Sequence, residues 1–355
     1  MLSMSVITRD LRVLFPDIGV PITAVPAAKR YDLVDTARGL CLIWMVLAHV
    51  LTISESGTQS WLHSLLLPGW STTNFVMLTG FALALIAGRS KGRSWHKRAF
   101  QLIVIAYLSN SLFTFLKVAL SAEGLTIQTA ASILALQQPW TISSILLPTA
   151  LLLLYTKWLE SLSDRLGPFP FLALVTIAEL LACTTARVLP AAVVESPLYS
   201  ALFEFENPTF AFPLGLLLGL GVWAYALGAA FRSIKIHPFI FVTGGILLAL
   251  IGLPHFKGPM TYLFRFETTL LLALLAGASP LALAKHFMGL LGRSSLLVFI
   301  LHRFLIQGEK IFLNFLLPAH RAPVMVFLTL LACAWICQYK EKNRNAGALL
   351  KAVGF

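Results

Sequence analysis

The chain has 355 residues, 58% of them hydrophobic and only 12% charged, where a soluble domain is about 25% charged, so an ordinary water-soluble enzyme and a disordered chain are both excluded. The net charge of +12, from 27 Lys and Arg against 15 Asp and Glu, fits the cationic cytoplasmic loops of a membrane protein and gives no reason to expect nucleic acid as a partner. With a mean hydropathy of +0.83 and continuous apolar runs that lack the alternation of a barrel strand, the sequence predicts an all-α polytopic membrane protein with about ten transmembrane helices in one bundle.

Residues 1–30 carry Arg9, Asp10, Arg12 and Asp17, which interrupt any apolar core, so this lead does not read as a cleaved signal peptide and is expected in the cytoplasm. The predicted spans follow in order: Leu33–Ile53, Leu65–Ala87, Ala99–Leu120, Ile142–Leu159, Phe169–Leu189, Phe210–Phe231, Pro238–Leu253, Thr268–Ala284, Gly289–Gln307 and Ala322–Tyr339. Ile127–Leu136 and Ile311–Leu317 are too short to cross and read as re-entrant or interfacial. The membrane-embedded domain covers residues 31–339 and a cytoplasmic tail covers 340–355. With the N-terminus inside, 19 Lys and Arg fall on cytoplasmic segments and 7 on the far side, which predicts both termini in the cytoplasm and a multi-pass protein of the cell's inner membrane. Cys41, Cys183, Cys333 and Cys337 lie inside apolar runs without zinc spacing; they read as small core residues, and no metal is expected.

The first span contains Asp35, Arg38 and His49. A charge deep in a span costs about 2.5 to 3.5 kcal/mol on insertion scales, so such side chains face a bundle interior and usually have a task. At about 100° and 1.5 Å per residue, Arg38 and His49 share one helix face about 16 Å apart, and Asp35 stands one turn before Arg38, within ion-pair reach. The plain alternative is that Arg38 snorkels to headgroups while His49 bonds a neighbouring helix; a purely structural helix, however, gains nothing from aligning two costly groups. In the second span Asn74, Thr79 and Gly80 permit close helix contact. The basic stretch Arg89–Arg98, with Arg93, Lys97 and Arg98, either sets topology against anionic lipid or docks a phosphorylated cytosolic ligand. Glu179 in the fifth span and His302 in the ninth are further intramembrane candidates.

Asp35-x-x-Arg38-Gly39, followed by an apolar run and His49, resembles the first helix of the acyltransferase-3 family. Phe75-Val76-Met77-Leu78-Thr79-Gly80-Phe81 resembles its F-F-V-L-S-G-F motif with Thr79 in the Ser position, and Ser295-Leu296 through His302 is similar to its S-L-x-x-Y-x-x-H segment with Phe299 replacing Tyr. Gly292-Arg293-Ser294-Ser295-Leu296 is also similar to the osmoregulated-glucan succinyltransferase branch, and the Arg-Gly and Met of the first helix to heparan N-acetyltransferase-like proteins. One departure concerns the family's R-x-x-R signature, which here reads Arg98-Ala99-Phe100-Gln101, leaving Lys97 or Arg93 to substitute for the missing Arg.

The resemblance implies an O-acyltransferase that moves an acyl group from cytoplasmic acyl-CoA, a co-substrate and not a bound cofactor, to a carbohydrate or glycolipid hydroxyl across the membrane. It implies His49 as the general base, imidazole being suited to proton transfer near neutral pH. Asp35 and Arg38 would assist it; Arg38 with Arg93, Lys97 and Arg98 would hold CoA phosphates or polarise the thioester. Asn74, Thr79, Glu179 and His302 take supporting places. The competing class is a transporter or flippase with a path through Asp35, Arg38, Glu179 and His49, for which an internal inverted repeat would be the signature; the sequence has none that is convincing.

Overall fold

The computed structural model describes residues 32–53, 69–87, 95–121, 141–185, 214–234, 237–253, 257–276, 282–313 and 318–343. Every regular element among them is a helix: α1 (Asp32–Ile53), α2 (Gly69–Ile86), α3 (Trp95–Ser121), α4 (Thr141–Leu166), α5 (Pro168–Thr185), α6 (Leu214–Ile234), α7 (Pro238–Gly252), α8 (Lys257–Ala276), α9 (Ala282–Arg293), α10 (Ser295–Phe312) and α11 (Pro318–Lys342). Local chemistry sets several of the ends. Asp32 and Asp35 lie in the first turn of α1, where carboxylates offset the positive end of the helix dipole. Gly167, at φ +82°, turns the chain between α4 and α5, and Pro168 then opens α5 where a missing N–H is harmless. His237 caps α7, its Nδ1 accepting from the Phe239 amide at 3.2 Å.

The all-helical expectation holds among the described residues, but the count of about ten spans is supported only in part. Among the described residues, four stretches are long and apolar enough to cross a membrane by themselves: Asp32–Leu51, Ile145–Leu166, Gly215–Ile234 and Arg321–Lys342. A fifth arises if α9 and α10 form one span, and α2, α5 and α7 supply shorter apolar helices. The predicted Ile127–Leu136 segment lies outside the described residues.

Two predicted spans require correction. In place of Thr268–Ala284, the eighth helix runs Lys257–Ala276. It carries Arg265 and Glu267 inside the helix, and burial of Glu267 to 1% exposure accommodates a charge-bearing residue at which an apolar-run reading stops. The predicted Gly289–Gln307 span is not one straight rod: α9 and α10 meet at Ser294 with a bend of 93°. The segment is apolar on both sides of Ser294, so composition does not register the change of direction.

α1 is the hub, packing against α2, α8, α9, α10 and α11. Its early half belongs to the main core with α2, α6, α8, α9 and α10, through residues such as Leu42, Met45, Leu78, Phe81, Phe266 and Leu291. Val46 and Val50 belong instead to a small separate cluster with Ile306 of α10 and Ala322 and Met325 of α11. Outward-facing positions are apolar too, among them Ile177 and Leu181 of α5, Leu247 and Ile251 of α7, and Phe327, Leu331 and Trp335 of α11. Polar residues inside and apolar residues outside are the arrangement expected of a bundle solvated by lipid.

Candidate active site

α1 is one uninterrupted helix from Asp32 to Ile53, so the register that places Arg38 and His49 on a common face is kept. Glycines set how deep that helix sits. A side chain at Gly39 would run into the carbonyl of Met288, and one at Gly292 into the carbonyl of Asp35. The two helices thus approach main chain to main chain at two reciprocal points, which only a residue without Cβ permits. Asp35 is buried and Arg38 half-buried at this crossing. Around the bend that follows, Arg293 donates to both carboxylate oxygens of Glu341 at 2.8 and 3.3 Å. Lys340 reaches Ser294 Oγ at 3.4 Å, and Lys285 stands 4.0 Å from Asp32.

Three turns further along α1, His49 Nδ1 lies 3.0 Å from His302 Nε2. The ring centroids are 5.2 Å apart with an interplanar angle of 9°; the excess of about 2.2 Å over the nitrogen separation is two imidazole radii, so the rings meet edge to edge along a straight hydrogen-bond line. His302 is 1% exposed, and its other nitrogen, Nδ1, lies 3.0 Å from the Val298 carbonyl oxygen one turn earlier. The Phe299 ring packs beside His302 at 5.9 Å and against Phe75 of α2 at 6.1 Å. The charge of Arg303 acts on both imidazoles.

The other sequence candidates divide by place. Asn74, buried beside Phe75, donates through Nδ2 to Thr269 Oγ1 at 2.7 Å and to the Arg265 carbonyl at 3.2 Å, tying α2 to α8. Thr79 donates to the Phe75 carbonyl of its own helix at 2.9 Å. Glu179 is half-buried on α5 with its carboxylate against Gly219 of α6, and α5 packs on α4, α6 and α8. Lys97 is exposed and Arg98 half-buried in the first turn of α3, while Arg93 lies outside the described residues. Cys41, Cys333 and Cys337 are buried and unbridged, as expected of core cysteines; the side chain of Cys183 lies outside the described residues.

Two residues escaped the sequence reading. Arg303, which the sequence analysis does not single out, lies within α10 next to His302, and its charge acts on both imidazoles; its adjacency to His302 was the available signal. Glu267 falls one residue before a predicted span, and its carboxylate rests against Gly245 of α7.

The family model of the acyltransferase-3 acyltransferase domain matches residues 31–338. No curated protein matches the chain, and no solved structure does.

Proposed function

The chain belongs to the acyltransferase-3 family and is a membrane acyltransferase; from that premise we propose that it carries an acyl group from cytoplasmic acyl-CoA to a hydroxyl of an extracytoplasmic sugar, glycan or glycolipid. The observation that supports this reading best is the pairing of half-buried His49, on the same helix as Arg38, with buried His302 at 3.0 Å. One helix then serves two sides: Arg38 near the cytoplasmic surface, where the charged donor arrives, and His49 in the outer half, where an acceptor is reached. In this proposal residues 1–30 and 340–355 lie in the cytoplasm and the protein sits in the inner membrane, as the distribution of Lys and Arg favours.

The proposed reaction balances without a cofactor. The acceptor O–H proton passes to His49 as the oxygen attacks the thioester carbonyl; the carbon–sulfur bond breaks, CoA leaves as thiolate, and the imidazolium returns the proton to it. Arg38 stabilises charge on the donor, and Lys97, Arg98 and Arg93 hold its phosphates. A single bend at Ser294 is the kind of helix break a transporter uses, but transporters carry such breaks in matched halves, and among the described residues only α9–α10 shows one.

The test is the acyl content of surface glycans in cells with and without the gene, complemented by wild type or by His49→Gln. Loss of an ester-linked acyl group that only wild type restores supports the proposal. Unchanged glycan acylation together with a changed distribution of a solute would replace it with transport.

A further inference from the structure

The hydrogen-bonded line through the two imidazoles has a direction. The Val298 carbonyl only accepts, so the His302 nitrogen 3.0 Å from it, Nδ1, carries the hydrogen. A neutral imidazole protonated on Nδ1 is bare on Nε2. The hydrogen shared across the 3.0 Å between His302 Nε2 and His49 Nδ1 therefore belongs to His49, and His49 Nε2 is left with the lone pair. The reverse polarity needs a cationic His302, which would put a second positive charge in an apolar interior beside Arg303.

We infer that His302 is the positioning residue that fixes the tautomer of His49, so that Nε2 is the atom that takes the acceptor proton. This rests on the proposed base role of His49 and adds to it the atom and the means. His302 touches no reacting atom. It holds the His49 ring in one rotation through a straight bond, and it accepts a bond that strengthens as His49 becomes imidazolium, the part played by the third member of a Ser-His-Asp triad. The backbone helps set the polarity. Val298 precedes His302 by one helical turn, and its carbonyl can accept from Nδ1 in addition to its bond within the helix, since a carbonyl has two lone pairs. Phe299 packs beside the ring and is itself backed by Phe75, and Phe299 supplies no hydroxyl to compete for Nε2.

The test combines kinetics with spectroscopy on the full-length protein in lipid. ¹⁵N NMR of histidine-labelled protein reads the tautomer directly and is expected to show His49 protonated on Nδ1 and bare on Nε2. His302→Leu, which cannot accept the bond, is expected to lower kcat by about 10²-fold with the KM for acyl-CoA unchanged. His302→Gln places an amide oxygen near the old Nε2 and is expected to recover kcat to within about tenfold of wild type. A His49 protonated on Nε2, a His302→Leu enzyme with wild-type kcat, or a folded His302→Gln enzyme no better than Leu would each overturn the inference. If His302→Leu does not fold, the NMR result and the Gln variant decide. An active His49→Ala enzyme removes the base role itself, whereas an inactive His49→Ala beside a fully active His302→Leu removes only the part assigned to His302.

Discussion

Between Asp35 and Gly39, α1 meets α9 main chain against main chain, whereas from Val46 to Val50 it meets α10 and α11 through side chains, in a cluster of five buried residues separate from the main core. The first contact leaves no room for substitution, because the atoms that touch are carbonyl oxygens and glycine Cα atoms. The second is a small apolar patch around an imidazole pair. A single helix is thus clamped at one end and lined with adaptable side chains at the other, and in the proposed mechanism the second end is where an acceptor must enter and leave. The Arg-Gly of the family motif divides along the same line: Arg38 carries charge, while Gly39 sets the depth at which α9 can approach.

The largest expected effect breaks the side-chain end. His49→Ala is expected to remove transfer activity by about 10² to 10⁴-fold with normal membrane insertion, measured as acyl transfer from labelled acyl-CoA in isolated membranes. His49→Gln, which can hydrogen-bond but cannot take a proton at neutral pH, is expected to be equally inactive; an active Gln variant would show that the pair is only structural.

The clamped end should break differently. Gly39→Leu or Gly292→Val forces a side chain into a carbonyl and is expected to destabilise the fold by about 1 to 3 kcal/mol or more, seen as a lower Tm and poor recovery in detergent. Gly244→Ala, where a Cβ would meet nothing within 4 Å, serves as the neutral control. Wild-type stability in Gly292→Val would remove the close crossing from the account.

The smallest effect is expected in the basic stretch at the start of α3. Neutralising Lys97 and Arg98 together with Arg93 is expected to raise the KM for acyl-CoA by about tenfold while changing kcat less, because phosphate contacts are made before as well as during the reaction. An unchanged donor KM would return this loop to a role in topology alone.

How far the sequence disclosed this arrangement depends on range. α1, with Asp35, Arg38 and His49, is legible because an apolar run and a helical period are local properties. The 93° bend at Ser294 is not, because apolar residues continue through it and hydropathy carries no direction. α8 is misplaced by a reading that stops at charge: Arg265 and Glu267 end an apolar run, but Glu267 fits the space left by Gly245 on the preceding helix, a match that neither helix shows by itself. His49 and His302 are each conspicuous as imidazoles in apolar helices. That they face each other cannot be read from either helix, since the contact depends on how α10 leaves the bend, and Gly39 and Gly292 are likewise visible singly but not as a reciprocal pair.

The hydrogen bond between His49 and His302 joins positions 253 residues apart, which orders events during synthesis. α1 leaves the ribosome well before α10, and at about 5 to 20 residues per second its imidazole waits roughly 13 to 50 s for the one on α10. Until then His49 has neither a fixed tautomer nor a fixed ring orientation from this source, and α9, which clamps the other end of α1, arrives only just ahead of α10. A nascent chain halted before that point would hold the proposed base without its partner, so the thioester would meet an ordered pair of imidazoles only once α10 has been made.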